Sequence, residues 1–213
     1  RSDRCHAYAA GQLSDTLHDR SLACLERQLA RVDGLVTAFA TADASAIEQA
    51  PTAVAALPPL SLCADVDHLL AEVAPPEDEA TRTRVAAARA TLERARAAID
   101  LGDHDGALTR ADAVATEART LAYEPLLALA ELVRGDALHW KRDVPGADAA
   151  LSTALELALA SGDSRSAVEA LARRVYVRAE LAGEPTRALS DAPIDRALLR
   201  RVPGDARLAW LVE

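Results

Sequence analysis

Apolar residues in the N-terminal part of the chain recur with the period of an α-helix. They follow one another at alternate spacings of three and four residues: Leu22, Leu25, Leu29, Val32, Val36 and Phe39. Such spacing places them on one face of a helix. Ser14 offers a side-chain oxygen that can cap the start of this helix. The pattern predicts a long helix from residue 14 to about residue 42, with the apolar face turned to the core.

Two shorter helices are predicted next. Ser45 and Glu48 form a capping box, and the helix that they open runs to Leu57 because Pro58 follows. A short helix around residues 67–73 comes after it.

A proline-rich, acidic stretch divides the chain. Residues 75–79 read Pro-Pro-Glu-Asp-Glu, which ends one helix and places acidic residues at the positive end of the next. We therefore predict an N-terminal helical cap over residues 1–75 and a second unit over residues 76–213.

The second unit repeats itself at a nearly constant interval. Its three related turns lead into Ala107, Ala147 and Ala188, which are almost evenly spaced. Amphipathic helices flank each turn, so the repeat predicts antiparallel helical hairpins over about 82–122, 123–160 and 163–200, with a truncated fourth from residue 205. Small residues fall where paired helices would cross: Ala95, Ala107, Gly135, Ala147, Ala154, Ala179 and Ala188.

Two positions depart from this repeat. Arg142 stands where the other turns have glycine, and Tyr176 stands where a small crossing residue is expected. We expect the third hairpin to pack less regularly for this reason. An ordinary helical bundle is the alternative to a repeat.

Composition favours an all-α fold. Alanine occurs 50 times and leucine 31 times, whereas aromatic residues make up 3% of the chain; helix formers therefore dominate and strand formers are sparse. The mixed charges, with a net of -9, form no basic stripe, so nucleic acid is not an expected partner. Apolar runs fall short of the roughly 20 residues of a membrane span, which predicts a soluble segment.

No catalytic, metal-binding or cofactor-binding residues are predicted. Three of the five histidines lie close to a cysteine in sequence: His6, His18 and His68 are one, six and five residues from Cys5, Cys24 and Cys63. None of these spacings places two ligands on one helical face. Serine, histidine and acidic residues are present, but no local motif brings them together as a nucleophile with its base. A small hydrolase or metal-dependent enzyme stays open only as a weak alternative.

The hairpin repeats resemble the tetratricopeptide repeat (TPR) in its longer form, with a period of about 40 residues. The resemblance implies a right-handed solenoid whose inner wall, built by the first helix of each hairpin, binds a peptide or partner protein. Projecting the repeat register places on that wall Arg89, Leu92, Glu93, Arg96, Ile99, Leu129, Leu132, Val133, Asp136, His139, Trp140, Arg173, Arg174 and Val177. Trp140 is either an anchor for the ligand or a cap on the hairpin core. Adjacent Arg173 and Arg174 cannot both face the same way.

The N-terminal part is similar to a second known arrangement. Short segments occur in order: GQLSD from residue 11, LACLER from residue 22, AALPPL from residue 55, CAD from residue 63 and PPED from residue 75. This succession resembles the region after the catalytic domain in myxobacterial-type serine/threonine protein kinases that carry TPRs. The chain departs from that family at Ser21 and Leu22, where arginine and methionine are usual.

The kinase resemblance implies that the chain is a regulatory, non-enzymatic fragment of a longer bacterial protein. An ATP-binding kinase domain would precede it, and a membrane span between the two would place it outside the cytoplasm; without such a span it would be cytoplasmic. One alternative is a ligand-sensing domain of a transcription regulator. Another is self-association through Leu208, Trp210 and Leu211, which a truncated fourth hairpin would leave uncovered.

The cysteines bear on the compartment. Cys5, Cys24 and Cys63 are an odd number, so either all three are buried small apolar residues or a disulfide forms between two of them. A Cys24 to Cys63 bond would tie the long helix to the segment around Pro58.

Overall fold

The computed structural model describes residues 14–40, 44–55, 57–70, 73–202 and 208. Every regular element in these ranges is helical, so the prediction of an all-α fold is confirmed. The elements in chain order are α1 Asp15–Phe39, α2 Ala44–Ala55, a 3-10 helix Leu60–Ala64, α3 Val66–Leu70, α4 Glu79–Asp100, α5 His104–Thr120, α6 Glu124–Trp140, α7 Val144–Ala160, α8 Ser164–Tyr176, a π-helix Val177–Leu181 and α9 Pro185–Leu199.

The turns between α4 and α9 share one backbone conformation. A residue in the left-handed conformation recurs once per turn and at nearly even intervals: Gly102, Ala122, Arg142, Gly162 and Gly183. Arg142, with a φ of 62°, adopts the conformation that glycine takes at the related positions, so the departure in sequence causes no departure in backbone. A helix and its turn therefore form one half of each repeat.

Aspartates start three of the helices in this region. Asp103, Asp143 and Asp163 each accept a hydrogen bond from the backbone N–H three residues on, which satisfies a donor that the helix itself leaves unpaired. Local sequence thus sets both the end of one helix and the start of the next.

Consecutive helices from α4 to α9 pack against each other, and α6 also contacts both α4 and α8. One apolar cluster joins α4, α5 and α6, and a second joins α6, α7 and α8. Small residues make the close approach between α6 and α7 possible: a Cβ added to Gly135 would lie 2.6 Å from Cγ of Leu151.

The third hairpin is irregular at the position that the sequence indicates. Tyr176 is 51% exposed, and the π-helix begins at the next residue. This wider turn buries Arg178, which donates hydrogen bonds to Asp148 on α7 and to Asp191 on α9.

The orientation predicted for α1 is wrong in its central part. Leu29 and Val36 are 64% and 61% exposed, whereas the buried positions include Cys24, Arg31 and Leu35. The tertiary contacts of α1 with α4 decide this rotation, because they turn Leu29, Val32 and Val36 away from the core of the described residues.

The local predictions for the N-terminal part hold in some places only. Ser14 caps α1 by accepting a hydrogen bond from the N–H of Leu17, as predicted. The second helix begins at Ala44, so Ser45 lies inside it rather than at its cap. The 3-10 helix was not predicted, and the short helix α3 ends at Leu70 instead of reaching residue 73.

The prediction that Leu208 is left uncovered is wrong. Leu208 is 2% exposed and packs with the cluster that joins α6, α7 and α8. Trp210 and Leu211, predicted to be exposed with it, lie outside the described residues. Leu208 is therefore not available for self-association.

Candidate ligand-binding site

A cavity of about 380 Å³ lies between the N-terminal segment and the hairpin helices. Five of the residues predicted to face the ligand line it: Arg89, Leu92, Glu93, Arg96 and Leu129. Opposite them the N-terminal segment contributes side chains that include Cys24, Arg27, Gln28, Pro58, Leu62 and His68. The N-terminal segment thus forms one wall of this cavity, which the sequence did not reveal.

The start of α8 forms a further part of the lining. Asp163, Arg165, Ser166 and Glu169 all border the cavity. Asp163 is 8% exposed and caps α8 through its bond to the N–H of Ser166, so backbone hydrogen bonding fixes this side of the site. None of these four residues was predicted, because α8 was expected to contribute only positions one or more turns later.

An ion-pair network joins three predicted residues beside the cavity. Arg173 donates to Asp136 and to Oε1 of Glu169, the latter from Nη2 at 3.1 Å. Nη2 of Arg96 lies 3.7 Å from Oε2 of Glu169. Glu169 therefore links α4 to α8 through Arg96. The spacing of four residues between Glu169 and Arg173 was a signal in the sequence for the ion pair of these two residues within α8.

The carboxylates keep both arginines charged. Burial by itself would lower the pKa of Arg96, but Glu169 and Glu93 outweigh it and the pKa is raised. The pKa of Arg173 is also raised: burial opposes this, and Asp136 and Glu169 more than compensate. The network holds its side chains in fixed positions at neutral pH, which preorganises this wall.

A second ion-pair group attaches α1 to the same wall. Arg31 is 2% exposed, and its Nη2 donates to Oδ2 of Asp100 at 2.5 Å. Nη1 of Arg31 lies 3.5 Å from Oε2 of Glu93. Glu93 therefore both lines the cavity and holds the helix that forms its opposite wall.

Arg89 is the cavity arginine with an unsatisfied donor. Its Nε is buried and has no hydrogen-bond partner among the described residues. Arg89, Arg27 and Val73 also line a neighbouring cavity of about 750 Å³, so Arg89 stands where the two spaces meet. An unpaired guanidinium N–H suits a carboxylate or another acceptor on a ligand.

A contact between the two halves of the chain also borders the site. Nη2 of Arg165 on α8 lies 2.7 Å from Nδ1 of His68 on α3. Tyr123 makes a second such contact by donating its hydroxyl to the carbonyl oxygen of Ala74. The N-terminal segment is thus held against the hairpins by polar contacts as well as by packing.

Two predicted residues lie in an aromatic cluster and do not line this cavity. His139 and Trp140 stack with ring centroids 5.1 Å apart, and His104 stacks on Trp140 at 5.8 Å. Tyr176 extends the cluster, at 5.2 Å from His139. Trp140 is 55% exposed, so it does not cap the hairpin core. Burial lowers the pKa of His139, which favours its neutral form at pH 7.

Four of the apolar positions placed on the wall are core residues instead: Ile99, Leu132, Val133 and Val177. Leu132 and Val177, at 1% and 0% exposure, are inaccessible to a ligand. The repeat register did not show that these positions are buried, because their helices are packed on more than one side. Arg174 points away from Arg173 and bonds to Asp191 and Ser152.

Cys24 and Cys63 are joined by a disulfide, with their Cα atoms 5.4 Å apart. The bond links α1 to the 3-10 helix, and Cys24 lines the cavity. Of the two alternatives for these residues, the structure contains the bonded one. Cys5 lies outside the described residues.

In the described ranges no group of three His, Cys, Asp or Glu side chains could hold a metal ion. None of the helices described there is long and apolar enough to cross a membrane. Comparisons with protein-family models, with curated proteins and with solved structures found no match to this chain.

Proposed function

We propose that this chain is a non-catalytic module that binds a peptide or partner protein in the cavity of about 380 Å³. In this proposal the hairpins from α4 onward are TPR-like and stack as a right-handed solenoid. The evenly spaced left-handed turn residues and the contacts of α6 with α4 and α8 support it, since a solenoid requires such contacts between successive repeats.

One observation is the main support for placing the binding site in this cavity. Five residues predicted from the repeat register line a single cavity together with side chains from a distant part of the chain. Leu129 supplies half-buried apolar surface, and Arg89 supplies a buried donor that has no partner in the described part of the chain. A ligand with an apolar side chain and an acidic group fits this combination.

The parent protein in this proposal is a bacterial serine/threonine protein kinase, and the module would localise or regulate that kinase. The support for the parent is the succession of short segments between residues 11 and 78. Reading the coding sequence upstream tests it: a glycine-rich loop and a catalytic aspartate loop are expected there. A helix-turn-helix or an ATPase segment in their place would contradict it.

The binding proposal can be tested with a peptide library displayed on phage and selected on the immobilised, disulfide-bonded chain. Enriched peptides would be titrated calorimetrically into the wild type and into Arg89→Ala and Leu129→Glu. We expect each substitution to weaken binding about tenfold or more. Trp140→Ala is the matched control, because Trp140 lies outside the cavity and should leave affinity unchanged.

Circular dichroism on each variant separates loss of a contact from loss of the fold. Failure to enrich any peptide would contradict the proposal. So would equal binding by the folded cavity variants and the wild type, because the binding surface would then lie elsewhere on the chain.

A further inference from the structure

A segment of residues 57–70 forms one wall of the cavity of about 380 Å³. The side chains that it contributes to the lining are Pro58, Pro59, Ser61, Leu62 and His68. Its regular structure is the 3-10 helix and α3, each five residues long. Helices this short are not stable by themselves. The position of this wall therefore depends on what holds the segment to the rest of the chain.

The segment is attached mainly to α1. The 3-10 helix and α3 pack on α1 and on each other. In the described part of the chain the buried residues of this contact are Cys24, Cys63 and Leu69, and the first two form the disulfide. The hydroxyl of Ser21 on α1 donates to the carbonyl oxygen of Cys63 at 2.6 Å. The disulfide thus lies at the centre of the contacts that position this wall.

The other walls of the cavity are held by different contacts. The two large apolar clusters pack α4, α6 and α8 against their neighbours. Glu169 joins Arg96 to Arg173 beside the cavity. The ion pair of Arg31 with Asp100 holds α1 to α4. Loss of the disulfide is therefore expected to move residues 57–70 and to leave the other walls in place.

Two thiols need more room than the disulfide that they replace. Sulfur atoms that are not bonded to each other stay further apart than bonded ones, and a packed interior has little free space. Cys24 and Cys63 are each 2% exposed, so the space around them is already filled. Reduction also frees a loop with a sequence separation of 39. Both effects drive the 3-10 helix away from α1.

We propose that the disulfide of Cys24 and Cys63 is a redox switch for the cavity. The oxidised chain binds the ligand, and reduction releases residues 57–70 and lowers the affinity. This inference rests on the proposed binding function, because it concerns the regulation of that same site.

The reductant in this proposal is a dithiol. One of its thiolates attacks a sulfur of the protein disulfide, breaks the S–S bond and forms a mixed disulfide. Its second thiolate then attacks the mixed disulfide and displaces the protein sulfur. Two electrons and two protons pass to Cys24 and Cys63, which become thiols, and the dithiol becomes a disulfide.

Binding and reduction are linked in both directions. If the oxidised chain binds a ligand about tenfold more tightly than the reduced chain, the ligand stabilises the disulfide by the same factor. For this two-electron couple a tenfold factor lowers the reduction potential of the disulfide by about 30 mV.

Hydrogen exchange measured by mass spectrometry tests the movement of the wall without any ligand. Backbone N–H groups of Leu62, Asp65 and Leu69 are hydrogen-bonded, so exchange at these amides reports on the segment. The oxidised chain, the chain in dithiothreitol and the variant Cys24→Ser with Cys63→Ser would be compared. We expect loss of the bond to accelerate exchange in residues 57–70 at least about tenfold more than in α6 and α7. The variant in dithiothreitol is the matched control, because it lacks the bond and should show no further change.

Peptide binding tests the consequence for the site. The probe is the peptide most enriched on the disulfide-bonded chain, titrated calorimetrically into the same three samples, with circular dichroism to confirm that each is helical. We expect about tenfold weaker binding or more to the reduced chain and to the variant. In dithiothreitol redox buffers, saturating peptide should lower the reduction potential by about 30 mV for each tenfold difference in affinity.

The two arms separate failure of this inference from failure of the proposed function. Equal affinity of the oxidised and reduced chains, or a reduction potential that the peptide does not change, would overturn the inference and leave the proposed function standing. Equal acceleration of exchange along the whole chain would also overturn it, because the bond would then stabilise the entire fold. Absence of peptide binding to the oxidised chain would refute the proposed function and the inference with it.

Discussion

Replacing Asp195 by asparagine should stabilise the protein, and more so as the pH rises. Asp195 on α9 is 3% exposed, and its Oδ1 is buried without a hydrogen-bond partner among the described residues. Burial, with a contribution from the negative charge of Asp191, raises the pKa of Asp195 to about 7. Asp191 itself accepts hydrogen bonds from Arg174 and Arg178.

The size of the effect follows from the two pKa values. The unfolded carboxyl has its ordinary pKa of 3.8 and the folded one a pKa of about 7, so folding is favoured most below pH 3.8, where both forms are protonated. Stability is lost as the pH rises through the folded pKa. With about 1.4 kcal/mol per pKa unit, the raised pKa of Asp195 lowers the free energy of unfolding by about 2 kcal/mol at pH 5, where folding takes up a proton, and by at most about 4 kcal/mol at pH 8, where the folded side chain is ionised.

Asparagine resembles the protonated carboxyl but does not ionise, so Asp195→Asn removes this cost. The free energy of unfolding of wild type and variant would be measured in urea by circular dichroism at pH 5, 6, 7 and 8. The other titrating groups are common to both proteins and cancel in the difference, apart from Asp191, whose charge acts on Asp195. We expect the variant to be more stable by about 2 kcal/mol at pH 5, widening to at most about 4 kcal/mol at pH 8.

A difference that does not change with pH would refute the argument, and so would a variant less stable than the wild type at pH 8. Asp191→Asn is the matched control on the same helix. It removes a carboxylate that the buried Arg178 shares with the partly buried Arg174, so it should destabilise the protein at neutral pH by about 2 kcal/mol or more.

Three further substitutions test the fold. Changing Cys24 and Cys63 to serine should lower the free energy of unfolding by about 4 kcal/mol, because the bond closes a loop with a sequence separation of 39. Urea unfolding of the variant and of the wild type, with and without reductant, measures this. An unchanged urea midpoint would show that the bond does not form in solution. Gly135→Ala should cost about 1 to 3 kcal/mol, because the added methyl group meets Leu151, and a neutral result in thermal unfolding would contradict the close approach of α6 to α7. Arg142→Gly should stabilise by about 1 kcal/mol, since glycine adopts the φ of 62° without strain; a lowered melting temperature would argue against the left-handed turn.

The sequence by itself determined the features of this protein that depend on neighbouring residues. Helix formers, capping residues and turn residues act within a few positions of one another, so the all-α fold could be predicted from the sequence. The local sequence also indicated an irregularity near Tyr176, and a π-helix begins at the next residue, Val177. It also identified residues of α4 that line the cavity, because the repeat register is itself local.

Only the tertiary structure decided which faces of the helices meet. The apolar positions of α1 follow a regular helical spacing, yet the contacts of Arg31 and Gly34 with α4 leave Leu29, Val32 and Val36 on the surface. Leu132 shares a predicted wall with Leu129, but packing on a second side makes it core. The contact of Glu169 with Arg96 has no local signature, because the two residues lie far apart in sequence and are brought together only by folding.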